Sequence, residues 1–136
     1  MVKSKQTTSE AKTALDTKLK VALQEAHSAG VAAAREFVQH AEKRGEIQDG
    51  FVPDTCGSAY LKVGNPSGNF RSALKRLDPK AEAWEGYWWI LSFKDEEFPA
   101  AASQSIRAHE AACEAARSVM TAHFPEERFY VLSHVD

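Results

Sequence analysis

The chain has 136 residues, of which 43% are hydrophobic and 26% are charged, and its formal net charge is -2. This length supports one domain with a single modest core. The nearly balanced charge gives no electrostatic case for nucleic-acid or membrane binding. No apolar run approaches the ~18 residues of a transmembrane helix, and residues 6–10 are polar where a signal peptide would be apolar. We therefore predict a cytoplasmic protein without a membrane partner.

The first long segment, residues 9–45, has the composition and the end signals of one helix. Ala, Leu, Lys, Glu and Gln dominate it, and these residues lose little side-chain entropy in a helix. Gly45 follows Lys43 and Arg44 and is placed to end the helix in a left-handed conformation. Residues 1–8, which precede this helix, are predicted to be disordered.

An apolar stripe along this helix suggests self-association. It includes residues at three- and four-residue spacing, among them Leu15, Leu19, Leu23 and Ala26. An unbroken helix of this length rises roughly 54 Å, which exceeds the diameter of the remaining domain. We therefore expect a homodimer with these four residues in its interface. The alternative is a break near Gly30 that folds two shorter helices onto one core.

Residues 56–136 are predicted to form an α+β core domain. Its first two strands are expected over residues 57–63 and 85–94, which are rich in β-branched and aromatic side chains. A short basic helix lies between them and ends at Asp78 and Pro79. Strict alternation along the second strand places Tyr87, Trp89, Leu91 and Phe93 on one face and Trp88 and Ile90 on the other. Both faces are apolar, so we expect this strand to be central and covered on both sides.

The predicted domain ends with a long helix over residues 100–123 and a third strand over residues 128–133. The fold class is thus α+β, with a long N-terminal helix followed by β-α-β-α-β around a small three-stranded sheet. A parallel crossover between the last two strands and a mixed sheet both remain open.

One set of residues in the core domain carries a resemblance to known proteins. These residues are Gly57-x-Ala59-x-Leu61-x-Val63, Phe70, Leu74, Gly86-Tyr87, Gln104-Ser105, Leu132-Ser133 and Asp136. The pattern resembles a family of small uncharacterised proteins from phages, prophages and similar mobile elements, over about residues 56–136. The first helix lies outside the resemblance, and Trp88-Trp89 stands where such proteins would have a glycine-rich turn. The resemblance implies an accessory protein that binds a host or phage component, and it implies no enzymatic activity.

Several basic and aromatic residues are candidates for contacting a partner. Arg71, Lys75 and Arg76 share the outer side of the short helix, and Tyr60 and Tyr87 are possible stacking groups. The candidate partner-binding set is Tyr60, Lys62, Arg71, Lys75, Arg76 and Tyr87. We predict a non-enzymatic interaction protein with an unidentified protein partner, and the resemblance implies that it acts on a host or defence component. A weak nucleic-acid-binding module that uses the Arg71/Lys75/Arg76 helix is an alternative.

A metal- or thiol-dependent enzyme is the other alternative. His109 and Cys113 lie four residues apart on one helical face, and Cys56 is the only obvious third ligand. The set is incomplete for zinc, and a nucleophilic thiol would need a held histidine in a cleft. We therefore predict no metal and no cofactor, and we expect both cysteines to be free buried thiols.

Overall fold

The computed structural model describes residues 9–136 in full and residues 2–8 as helical backbone only. The predicted disorder of residues 1–8 lies outside the fully described residues. The α+β class is confirmed. The helices and strands are α1 Val2–Lys43, β1 Gly57–Gly64, α2 Gly68–Leu77, β2 Ala83–Trp84, β3 Tyr87–Ser92, α3 Ile106–His123 and β4 Arg128–Val135, with two 3-10 turns at Asp95–Glu97 and Ala100–Ala102. Among the described helices, none combines the length and the apolar character that crossing a membrane would take.

The sheet has four antiparallel strands in the order β2-β3-β1-β4. The sequence predicted three strands and missed the fourth, β2, which has only two residues. A two-residue turn, Glu85 and Gly86, joins it to β3, and both turn residues have positive φ, 52° and 83°. This is the conformation that a tight hairpin turn requires. β3 and β4 both run antiparallel to β1, so no two neighbouring strands are parallel.

A bulge in β3 divides its side chains between the two faces. Leu61 of β1 pairs with Leu91, but the next residue, Lys62, pairs with Trp89, so Ile90 is the extra residue. An extra residue reverses the alternation of side chains beyond it. As a result Phe93 faces the core instead of sharing a face with Tyr87 and Trp89, as strict alternation had predicted.

The core lies on one side of the sheet only. Ala59, Leu61 and Val63 of β1 are buried on the side of the sheet against which α3 packs. Phe70 of α2 meets Phe129 of β4 edge to face, with ring centroids 6.1 Å apart. α1 packs on the outer side of α3 and α2 and forms a third layer. The expectation that the second predicted strand is covered on both faces was wrong, since nothing in the described part of the chain covers the other face.

α1 is one continuous helix, so the predicted alternative of a break near Gly30 was wrong. Gly30 lies where α1 crosses α3 and Phe93. A Cβ added there would be 2.7 Å from Phe93 Cε1 and 3.0 Å from the carbonyl oxygen of Ala112. The glycine therefore allows close contact between α1 and the core, and it does not interrupt the helix.

The predicted dimer interface on α1 needs correction. Leu19 and Ala26 are completely buried inside one chain, and Leu15 and Leu23 are partly buried against the same core. The helix is long, but its own subunit covers the apolar stripe. Leu19 and Ala26 are therefore not available to a second copy, although dimerisation itself stays a prediction.

We expect Gly30→Ala to lower the free energy of unfolding by about 1–2 kcal/mol. Overpacking a core costs about 1–3 kcal/mol, and the higher helix propensity of alanine returns up to about 1 kcal/mol. Urea unfolding followed by circular dichroism measures the change. Gly68→Ala is the matched control, because an added Cβ there meets only Arg71 Nη2, at 4.0 Å. Equal stability of the two variants would contradict the placement of α1 against Phe93.

Candidate functional site

The uncovered side of the sheet carries a cluster of aromatic side chains. The strand register places on it Ser58, Tyr60, Lys62, Gly64, Trp84, Tyr87, Trp89, Ser92, Arg128, Tyr130, Leu132 and His134. We name this set the open face. Trp84 and Trp89 expose 69% and 56% of their surface, which is unusual for tryptophan. Exposed groups of large aromatic residues are typical of interaction surfaces.

The rings of the open face are arranged by contacts with one another. Tyr60 of β1 and Trp89 of β3 stack with centroids 4.7 Å apart and an angle of 17° between their planes. Tyr87 and Tyr130 meet edge to face at 5.6 Å. The Lys62 ammonium group lies between the two β3 rings, 5.6 Å from the centroid of Tyr87 and 5.4 Å from that of Trp89. A ligand therefore meets rings whose orientations are already restricted, which lowers the entropy cost of binding.

Gly64 makes room for two of these rings. A Cβ at this position would lie 2.9 Å from Tyr130 Cε2 and 3.0 Å from Tyr87 Cε1. The two tyrosines thus lie over the bare backbone at the end of β1. A glycine within a strand often marks such a close approach.

The charge of the open face differs from the charge of the whole chain. Its strand positions include Lys62, Arg128 and His134 but no Asp or Glu. Neither Lys62 nor Arg128 forms an ion pair with any residue from 9 to 136. The open face therefore combines aromatic rings with uncompensated positive charge, although the net charge of the protein is -2.

The structure divides the predicted partner-binding set between two sides of the molecule. Tyr60, Lys62 and Tyr87 lie together on the open face. The three basic residues of α2 lie on the opposite, helical side, because α2 packs there through Phe70 and its neighbours. The six residues therefore do not form one surface.

Two of the α2 cations have internal partners. Arg76 holds Asp16 of α1 with two hydrogen bonds, from Nη2 at 2.7 Å and from Nε at 2.8 Å. Hydrogen bonding from Arg76 lowers the pKa of the Asp16 carboxyl below its ordinary value. The Lys75 ammonium lies over the ring of the buried Trp88, 5.9 Å from its centroid. Arg76 and Lys75 thus fasten α2 to its surroundings, and the basic helix is a weaker candidate site than the open face.

Nine of the twelve open-face residues were missed at the sequence level, among them the large or charged side chains of Trp84, Trp89, Arg128 and Tyr130. Alternation along the second predicted strand had placed Trp89 beside Tyr87, which is correct. Because both faces of this strand were expected to be covered, Trp89 was predicted to be a core residue. In the last strand, Tyr130 lies opposite Lys62 of β1. The register between strands places it on the open face, and alternation within a single strand does not give this register.

The alternative thiol or metal site is not assembled. His109 is completely buried, packs against Phe98 and donates from Nε2 to the carbonyl oxygen of Ser103 at 2.9 Å. Cys113 is also buried, whereas Cys56 is exposed, which corrects the expectation of two buried thiols. Cys56 lines a surface depression of about 410 Å³ that neither His109 nor Cys113 reaches. Within residues 9–136 no group of three or more His, Cys, Asp and Glu could hold a metal ion.

No family model matches the chain, and neither the curated proteins nor the solved structures yielded a match. The resemblance to mobile-element proteins therefore stays a prediction.

We expect the two thiols to differ strongly in reactivity. Burial, followed by the charges of Glu114 and Glu110, raises the pKa of Cys113 to about 12, so this thiol is protonated and shielded at neutral pH. Titration of the folded protein with Ellman's reagent should give one fast equivalent, and unfolding in guanidinium should release the second. Cys56→Ser should remove the fast equivalent. A fast thiol in folded Cys56→Ser would show that Cys113 is accessible and would reopen the enzyme hypothesis.

Proposed function

We propose that the protein binds single-stranded nucleic acid on the open face, with bases stacked on Tyr60, Tyr87 and Trp89. One observation carries the proposal: three neighbouring aromatic side chains lie on the two central strands, and the Lys62 ammonium group, which has no carboxylate partner within residues 9–136, lies close to two of them, Tyr87 and Trp89. Such a surface offers rings to bases and a positive charge to the phosphates between them. This is the pairing of stacking groups and cations that single-strand binding proteins use.

The geometry favours single strands over duplexes. A base in a duplex is already stacked on both sides, so its planes are not accessible to protein rings. Stacking on an aromatic side chain contributes about 1–3 kcal/mol per base and tolerates any base. Among the described residues, strand positions alone make up the open face, so no helix is placed there to enter a groove. We therefore assign a single-stranded ligand and leave RNA and DNA to be separated by experiment.

The topology agrees with this proposal without carrying it. Without α1, the element order is β-α-β-β-α-β, the ferredoxin-like arrangement. The RNA-recognition motif likewise has a four-stranded sheet on whose aromatic residues two or three bases stack. One fold serves many functions, so the aromatic rings and Lys62, and not the topology, support nucleic-acid binding.

The sequence of β3 matches part of the RNA-recognition pattern and departs from the rest. The pattern is Lys/Arg-Gly-Phe/Tyr-Gly/Ala-Phe-Val-x-Phe/Tyr, and residues 85–92 read Glu-Gly-Tyr-Trp-Trp-Ile-Leu-Ser. Gly86, Tyr87 and the aromatic Trp89 agree with it. Glu85, the large Trp88 and Ser92 do not. The cation missing at position 85 has a counterpart in Lys62, on the neighbouring strand.

A protein partner, the other predicted kind of ligand, fits part of the open face. Leu132, at the β4 end, exposes 44% of its surface, and its neighbours on this face of β4 are Tyr130 and His134. The centre of the face, however, pairs rings with Lys62 and holds no acid. We therefore place nucleic acid first and a protein partner, including a mobile-element target, second.

The proposal is tested with the purified protein and fluorescein-labelled single-stranded oligonucleotides of mixed sequence. Fluorescence anisotropy should show binding that Tyr87→Ala and Trp89→Ala each weaken by roughly 5- to 150-fold, since each loses about 1–3 kcal/mol of stacking. RNA and DNA versions of the same sequence identify the preferred sugar. The double-stranded form should bind at least tenfold more weakly.

Two control variants separate the open face from other surfaces. Phe51→Ala removes an aromatic residue of similar exposure, 60%, that lies outside the sheet. Arg71→Glu combined with Lys75→Glu reverses the charge of α2, the site of the alternative proposal. Both should bind as the unmodified protein does. Unchanged binding by Trp89→Ala, or loss of binding in the α2 variant, would refute the open face as the site.

We expect the affinity to depend only weakly on salt. Lys62 and Arg128 are the permanently charged residues of the open face, so about two phosphates are neutralised. For single strands the slope of log K against log salt is then about -1.4. Anisotropy titrations over a series of sodium chloride concentrations measure the slope, and Arg128→Ala should reduce it by about half. A much steeper slope would indicate that cations outside the open face carry the binding.

A further inference from the structure

A second surface is the free edge of β4. The sheet order leaves β4 at one end, beside β1 only. In an antiparallel pair, alternate residues direct both backbone polar groups toward the partner strand, and the others direct them away. The Asp136 N–H donates to the Cys56 carbonyl oxygen at 3.2 Å. The even-numbered residues of β4 thus bond to β1, and the outward residues are Phe129, Val131, Ser133 and Val135.

Among the described residues, a hydrogen-bond partner reaches only the first of these outward residues, Phe129. Arg117 of α3 donates from Nε to the carbonyl oxygen of Phe129 at 3.0 Å. Within residues 9–136, no hydrogen bond reaches the outward backbone groups of Val131, Ser133 or Val135. Three consecutive outward residues thus present donors and acceptors to solvent.

β4 also lacks the features by which proteins protect a sheet edge. Proline, lysine, bulges and short length all discourage edge pairing. β4 has eight residues, contains no proline or lysine and pairs with β1 in unbroken register. The opposite edge, β2, has only two residues. The long edge, unlike the short one, is built to accept another strand.

We propose that β4 pairs antiparallel with β4 of a second copy, centred on Ser133, and so joins two sheets into one of eight strands. A two-fold axis at Ser133 sets Val131 opposite Val135 of the other copy, a β-branched pair that stabilises antiparallel strands. It also sets Asp136 opposite Tyr130 and diagonal to Arg128, at roughly 7–8 Å between backbones. Arg117 covers Phe129, so the register that uses Val131 to Val135 is the one left open. Charge complementarity and the unpaired segment thus specify a second copy in one register.

Sedimentation velocity of the full chain over a wide concentration range tests this dimer. The unmodified protein should dimerise reversibly, and Ser133→Pro should raise the dissociation constant roughly tenfold or more. Proline removes an outward N–H and no bond to β1. Ser133→Ala is the matched control: it keeps the N–H and loses only the hydroxyl bond to Glu110, 2.5 Å long. It should dimerise normally.

A charge exchange keeps the proposal testable if the proline variant does not fold. Arg128→Asp should weaken the dimer, and Arg128→Asp combined with Asp136→Arg should restore it. Hydrogen exchange should show concentration-dependent protection of the Val131, Ser133 and Val135 amides. A monomer at every concentration, protection on α1 or the open face instead, or a dimer indifferent to both Ser133→Pro and Arg128→Asp would overturn the proposal.

Discussion

The extra residue in β3 determines which side chains build the core and which form the open face. Before the bulge at Ile90, Tyr87 and Trp89 point away from the helices; beyond it, Leu91 and Phe93 point toward them. Phe93 then stacks near His27 of α1 and contacts Phe98. A regular strand would send either the two outward rings into the core or Phe93 into solvent. One inserted residue thus turns Phe93 toward α1 and, at the same time, leaves the rings of Tyr87 and Trp89 on the open face.

The third layer explains why a small domain can leave so much aromatic surface uncovered. α1 buries Leu19, Ala22, Ala26, Ala34, Val38 and Ala41 against α2 and α3, so the helices are covered on both sides. The hydrophobic stabilisation of the fold therefore comes from the helical side of the sheet. Because the core does not need the rings of the open face, these rings can stay exposed without loss of stability. They are therefore available for binding.

Much of the fold follows from local sequence signals, and the site does not. The proline-free composition of residues 9–45 predicts the long helix, and Asp78-Pro79 predicts the end of α2 at Leu77. The side of β3 that faces solvent depends instead on its neighbours. The apolar run at Trp88 to Phe93 shows high β propensity in either environment, and propensity reports fit to a pleated surface more than burial. A bulge has no sequence signature here, because Ile90 is as good a strand residue as its neighbours. The set of Tyr60, Lys62 and Tyr87 was identified, but its separation from Arg71 and Arg76 required the tertiary structure.

The net charge of -2 argued against nucleic-acid binding, but acidic and basic residues are distributed differently among the helices, loops and strands. None of the 19 acidic residues lies in a strand. They occupy the helices, the 3-10 turns and the loops, where several are held by basic partners such as Arg76 and Arg107. The two cations of the strands, Lys62 and Arg128, thus remain uncompensated on the open face. Screening in physiological salt limits the reach of charges to about 8 Å, so a phosphate at the open face responds to these two residues far more than to distant carboxylates. Local charge, and not its average over the chain, therefore decides what this surface can bind.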